Sequence, residues 1–336
     1  MHRHPFRVAF SLICVFFLAI FIVLAINPPE LSNLPFMNHP DLQTFKIMFV
    51  SITLEAFPFI LLGVLVSSVI QVFVPESFIK KLIPRNPVLG AVAASLLGII
   101  FPVCECGMVP VARRLILKGF PVYAAVVFLL AGPIVNPVVY SATFMAFRTD
   151  PSITYSRMAL AVLVSVTVGL IIYRLVRSNP MKPETHIHNH DHHDHSSGSS
   201  PNRSKFIETF DHAAGEFFDM GKYLIFGAFL TAIVQTFVPR ALMLDIANET
   251  WLANAFMMAF AYIISICSTS DAFVAATFAS TFSSGALLAF LVFGPMLDVK
   301  STLMLLSVFK ARFVLLLIVL VAVFVWIGSY VFDILI

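Results

Sequence analysis

Two short stretches carry residues able to do chemistry. In FPVCECG, residues Phe101 to Gly107, the thiols of Cys104 and Cys106 flank the carboxyl of Glu105. Thiolates are soft ligands that select zinc, copper(I) and other thiophilic species, and a carboxylate adds charge. In Cys267-Ser268-Thr269-Ser270-Asp271 a third thiol is followed by three hydroxyls and another carboxyl. The same residues have plainer uses. Free cysteine packs as a small apolar residue, Ser and Thr bond the backbone of membrane helices, and Asp271 can cap a returning half-helix. Cys14, alone in an apolar run, takes the plain role. The Cys-x-Cys pair lacks the second Cys-x-Cys or His pair of a structural zinc site.

Two further polar residues follow Gly-Pro pairs: Asn136 in GPIVN and Asp298 in GPMLD. Proline frees a carbonyl and glycine permits close approach, so each pair exposes backbone oxygen beside a polar side chain. Lys300 either neutralises Asp298 at depth or snorkels to an interface. Glu55 is another acid within an apolar run, three residues before Pro58. A separate tract holds His186, His188, His190, His192, His193 and His195, interleaved with Asp191 and Asp194. Imidazoles at this density bind divalent transition metals weakly, or the tract is a solvated linker whose histidines are incidental. No resident cofactor is expected and no Walker-type nucleotide motif is present, so the chain is not expected to be an enzyme.

The elements that position these groups must lie in lipid. Of 336 residues 59% are hydrophobic and 12% charged, with 35 Phe and a mean hydropathy of +0.94. A soluble domain carries about 25% charge. This composition excludes a soluble enzyme, a secreted disulfide scaffold and a nucleic-acid binder. The expected fold is an all-α polytopic membrane protein. Val8 to Ile26, after a basic start, reads as an uncleaved anchor with a cytoplasmic N-terminus in the cell membrane.

The rest divides into two similar parts. Leu61 to Pro75 matches Ile225 to Pro239, Cys104 matches Cys267, and Gly132–Asn136 matches Gly294–Asp298, at a nearly constant offset of about 163 residues. Expected boundaries are 1–44 for the anchor and loop, 45–177 for one repeat, 178–209 for the His-rich cytoplasmic linker and 210–336 for the other repeat. Cations flank Val88 to Lys118 on both sides, Lys80, Lys81 and Arg85 before Arg113, Arg114 and Lys118. The positive-inside rule then asks both ends of this segment to lie in the cytoplasm, which a hairpin folded at Cys104–Gly107 provides. Treating Trp251 to Phe282 likewise gives seven spans, two re-entrant hairpins and inverted repeats. The alternative is nine spans with parallel halves. Broken helices at Phe101–Gly107, Ala131–Pro137, Cys267–Asp271 and Phe293–Lys300 must face protein or a cavity, because lipid satisfies no backbone group.

FPVCECGMVPVARRLILKG, LLAGPIVNPVV and CSTSDAFVAA, in that order, resemble a predicted permease family. It includes YraQ-like and YcgR-like proteins and the organoarsenical efflux permease ArsP; the chain looks most like the Bacillus-type YcgR branch. The resemblance implies a cytoplasmic-membrane permease, export as the direction, and a second membrane subunit as partner. The His tract shifts the expected cargo from a trivalent organoarsenical toward a zinc-like divalent metal. The expected substrate contacts are Cys104, Glu105, Cys106, Asn136, Cys267, Ser268, Thr269, Ser270, Asp271, Asp298 and Lys300. Two other readings stand beside a permease for a soft metal or metalloid. One is a permease for a small anion or sulfur compound; the other is a metal-sensing membrane subunit working through a partner.

Overall fold

The computed structural model describes residues 40–75, 84, 86–100, 104–176, 180–182, 201–237 and 250–335. The anchor run Val8 to Ile26, the cations Lys80, Lys81 and Arg85, the Phe101–Val103 end of the first break and the His tract lie outside these residues. Among the described residues the protein is helical, without strands; an isolated bridge joins Met181 to Phe309. Five helical stretches are long and apolar enough to cross a membrane: Pro40–Phe73, Pro151–Leu175, Ala213–Thr236, Ser284–Val308 and Ala311–Leu335. Large apolar side chains such as Leu54, Leu163 and Leu315 stand exposed on them. That is expected where the solvent is hydrocarbon and not water.

The first six helices are α1 (Pro40–Phe73), α2 (Pro87–Ile100), α3 (Glu105–Leu117), α4 (Val122–Ala131), α5 (Pro137–Ala146) and α6 (Pro151–Leu175). Proline opens α1, α2, α5 and α6, where its missing N–H costs nothing and its fixed φ suits a first turn. Asn136 and Asp150 cap α5 and α6 by accepting from Val139 and Ser152 backbone N–H groups. α3 runs along α1 in the same direction. Gly107 lies against Gly63, Ser67 donates to the Pro110 carbonyl, and Lys118 donates to the carbonyls of Gln71 and Val74. The turn at Lys118–Gly119, with Gly119 at φ 89°, reverses the chain into α4, whose end reaches Met108. α2 packs along α4 with Gly98 against Gly132 at their C-terminal ends, so α2 and α4 run in parallel. Hence α2 enters and α3 returns to the same face, with α4 between them. We call this face I; α1 also ends there. α5 continues from α4 to the opposite face II, and α6 comes back, pairing Arg157 with Thr143 and Tyr173 with Tyr123.

The second six are α7 (Pro201–Phe237), α8 (Thr250–Ile264), α9 (Asp271–Ala276), α10 (Ser284–Met296), α11 (Val299–Val308) and α12 (Ala311–Leu335). α7 begins at Pro201, inside the stretch 178–209 expected as linker, so its last part is already helix. α7 runs antiparallel to α1, with Glu216 near Ser67 and Phe229 against Phe45 and Phe49. α8 packs in parallel along α10, Phe260 against Phe290 and Ala261 against Gly294, both ending at depth. The short α9 turns back toward the start of α10. This hairpin therefore opens to face II. α11 carries on from α10 toward face I, where Phe309 meets Met181, and α12 returns to face II, where Asp333 binds Ser283 and the Gly285 N–H.

Candidate substrate site between the helix breaks

Four half-helices, α3, α5, α9 and α11, begin inside the protein, beside a break. Three of the breaks are built differently from one another. Cys104 is the N-cap of α3 in extended conformation; its carbonyl accepts from Gly107 and Met108, and its side chain makes no cap bond, leaving the thiol for other contacts. Asn136 caps α5 through Oδ1, 2.9 Å from Val139 N. Asp298 forms a capping box on α11: Ser301 N donates to Asp298 Oδ1 at 2.6 Å, and Asp298 N donates to Ser301 Oγ at 3.0 Å.

Backbones touch where the tip of the first hairpin is held. A Cβ on Gly63 would lie 2.4 Å from the Gly107 carbonyl oxygen, and one on Gly98 would lie 2.6 Å from the Gly132 Cα. These glycines let α1 approach the Cys104–Gly107 turn, and α2 the end of α4, at a distance no side chain permits.

Six of the expected residues converge. The Cys104 and Cys106 thiols share a hydrogen bond, and Cys267 stands within electrostatic reach of Cys104 and Glu105. Lys300 is buried, with Nζ 3.6 Å from Asp298 Oδ2, and lies within reach of Cys106, Glu105 and Cys267. It is therefore a counter-charge at depth and does not snorkel to the surface. Glu105 Oε2 is buried without a hydrogen-bond partner. Such an orphan is costly in a dry interior.

Of the other expected residues only Thr269 bonds to a member of this cluster through its side chain. Asn136 serves its helix cap. Thr269 donates to Cys267 Sγ at 3.7 Å, and Ser270, the N-cap of α9, is exposed and makes no side-chain cap bond. Ser268 presents its carbonyl, not its hydroxyl, to Arg157 Nη2 at 3.2 Å, and Asp271 Oδ2 accepts from the same nitrogen at 2.6 Å. No three His, Cys, Asp or Glu side chains gather closely enough to hold a metal ion among the described residues.

Three residues that shape the site have weak sequence signals. Ser265 ends α8 in the left-handed region at φ 51°, and its hydroxyl accepts from Val299 N at 3.1 Å, stitching the α8 break to the start of α11. Gln235 donates to the Ile264 carbonyl at the same break. Arg157, fully buried, joins Thr143 to Asp271. Only the match of Gln235 to Gln71 between the two halves of the sequence pointed to any of them.

The chain is 45% identical to UPF0718 protein YcgR of Bacillus subtilis over 84% of its own length and 94% of that protein. It is 36% identical to a Streptococcus mutans protein named as a candidate two-component membrane permease complex subunit, over 80% of this chain and 88% of that one. Escherichia coli UPF0718 protein YraQ is 23% identical over 35% of the chain. No solved structure matches significantly. Residues 41–334, every helix from α1 to α12 but for end residues, fit the ArsP_1 family model, described as a predicted permease, and the protein belongs to that family.

Proposed function

We propose that this multi-pass membrane permease moves a soft metal or metalloid species, a zinc-like divalent metal or a trivalent organoarsenical, outward across the cell membrane. It acts as a transporter and not as an enzyme. The observation that carries the reading is the meeting of Cys104 and Cys106 from one hairpin with Cys267 from the other around the buried Lys300. Thiolates formed on cargo binding gain their counter-charge from Lys300, and Glu105 offers a carboxylate to take up a displaced proton. Two soft contacts at a time suit a cargo that must be handed on, where a closed set of ligands would retain it.

The two sets of six helices are read as inverted copies, each with a long helix, a hairpin, a broken span and a final span. One set rocking against the other exposes the hairpin tips alternately. Arg113, Arg114, Lys118, Arg174, Lys310 and Arg312 gather toward face I, which supports a cytoplasmic face I and a cytoplasmic N-terminus. The His tract would then collect divalent metal on the cytoplasmic side. A second membrane subunit is the partner suggested by the name of the Streptococcus mutans relative.

The test is elemental. Cells lacking the native protein, expressing wild type or the Cys104→Ser/Cys106→Ser variant, are challenged with zinc, copper, cadmium, arsenite or trivalent methylarsenical. Total content of each element is then read by mass spectrometry. The proposal expects wild type to lower one of these elements and the variant not to do so. A second reading, a permease for a small anion or sulfur compound, is favoured by one observation, the burial of Lys300 among half-helix N-termini. It predicts no element-specific change, tolerance of Cys104→Ser, and loss of transport in Lys300→Met.

A further inference from the structure

Two buried ionic clusters lie on opposite sides of the thiol site, and each joins the first six helices to the second six. Toward face I, Glu216 of α7 accepts from Ser67 of α1 at 2.7 Å and from Arg114 Nε of α3 at 3.4 Å, with Arg113 Nη1 at 4.0 Å. Arg113 and Arg114 stand two turns beyond Cys106, on the path from the site to that face. Toward face II, Arg157 of α6 binds Asp271 of α9 at 2.6 Å and Thr143 of α5 at 2.7 Å. Thr143 lies two turns beyond the Asn136 break, on the path to the other face.

Glu216 also sits on the closely packed seam between α1 and α7, but the ionic contacts of both clusters reach across looser ones. α3 touches α7 little outside the Glu216 contacts, and α6 and α9 share little packing besides Arg157 and Asp271. The clusters are also incompletely satisfied: Glu216 Oε1, Arg157 Nε and Asp271 Oδ1 are buried without hydrogen-bond partners. A buried ion pair is poor glue compared with apolar packing, and its best-attested use is to specify one arrangement among alternatives. Here both clusters are closed, and Cys104, Cys106 and Cys267 are buried from both sides.

We infer that the Glu216–Arg113/Arg114–Ser67 cluster and the Arg157–Asp271–Thr143 cluster are two locks, one closing the thiol site from face I and the other from face II. Breaking one lock opens its own face while the other stays shut, and the structure is the state with both closed. This inference rests on the alternating-access reading of the permease but not on the identity of its cargo.

The site thiols report the outcome themselves. In a Cys14→Ala background, the rate of modification by a charged, membrane-impermeant thiol reagent is measured on intact cells and on inverted vesicles. Glu216→Gln is expected to speed modification several-fold from one face only. Arg157→Gln and Asp271→Asn are expected to speed it from the opposite face only, and the Arg157→Asp/Asp271→Arg exchange to return toward the starting rate. A variant that merely loosens the fold raises labelling from both faces, which overturns the inference, as does unchanged labelling from either face or the same open face for both locks. If locks fail in this assay while the elemental test succeeds, the permease reading stands without them. If the element test fails while labelling is one-sided, the locks stand and the cargo assignment falls.

Discussion

The backbone contact between α1 and α3 at Gly63 gives a prediction whose size can be worked from geometry. In Gly63→Ala the new methyl would start 2.4 Å from the Gly107 carbonyl oxygen and 2.6 Å from its Cα. Both obstacles are backbone, so no rotamer change relieves them, and α1 must move from α3 by close to an ångström. Overpacking of this kind costs about 1–3 kcal/mol. A helical Gly→Ala change returns about 0.5–1 kcal/mol. Gly221, in α7, has no atom within 4 Å of its built Cβ, so Gly221→Ala keeps the gain without the clash. The helical gain is common to both, so the two variants should differ by the clash alone, about 1–3 kcal/mol. In apparent melting temperature of the detergent-solubilised protein this is about 1–4 °C, with Gly221→Ala the higher. Because Gly107 adjoins Cys106, Gly63→Ala should also lower transport while Gly221→Ala leaves it intact. Equal melting temperatures for the two variants would refute the close approach and the positioning argument built on it.

Other consequences follow from single residues. Lys300→Met strands Asp298 in the interior at a cost of about 3–5 kcal/mol, so membrane abundance should fall. Lys300→Met/Asp298→Asn should recover most of it, since Asn still caps α11; no recovery would argue against the pair. Asn136→Ala should lower apparent stability by about 1 kcal/mol through loss of the α5 cap, with Asn136→Ser close to wild type in the same melting assay. Deleting residues 186–195 should leave elemental efflux in place with some loss of efficiency; complete loss would favour a metal-sensing subunit.

Much of the fold could be read from where polar and breaking residues interrupt apolar runs. Gly132-Pro133 and Asn136-Pro137 end one helix and start another because proline cannot donate and asparagine caps, and α4 and α5 meet there. The cations flanking Val88 to Lys118 signalled a segment that returns to its own face, and α2 and α3 do so around α4. At Gly294-Pro295 the break comes later than the motif suggests. α10 runs on to Met296, and the chain departs at Leu297–Asp298, where the capping box begins a new helix. The start of α7 was hidden because residues 201–205 are polar and continue the linker's composition, although Phe206, Ile207, Phe210 and Phe217 beyond them fall at helical spacing. Lys300 offered two placements in the sequence, and the tertiary position of Asp298 chose between them. Arg157 and Glu216 were silent for the same reason: each is a single charge whose partners come from helices far away in the chain.

The account turns on the meeting of Cys104 and Cys267, brought together by hairpins from opposite faces. It can be tested with the native thiols. In the Cys14→Ala background, a protease site is placed in the linker between residues 183 and 200, membranes are treated with a short, membrane-permeant bifunctional thiol reagent, and the chain is then cut. The account predicts that the halves stay joined on a denaturing gel, and that they separate in Cys267→Ser and in Cys104→Ser/Cys106→Ser. Halves that separate without either substitution would contradict it.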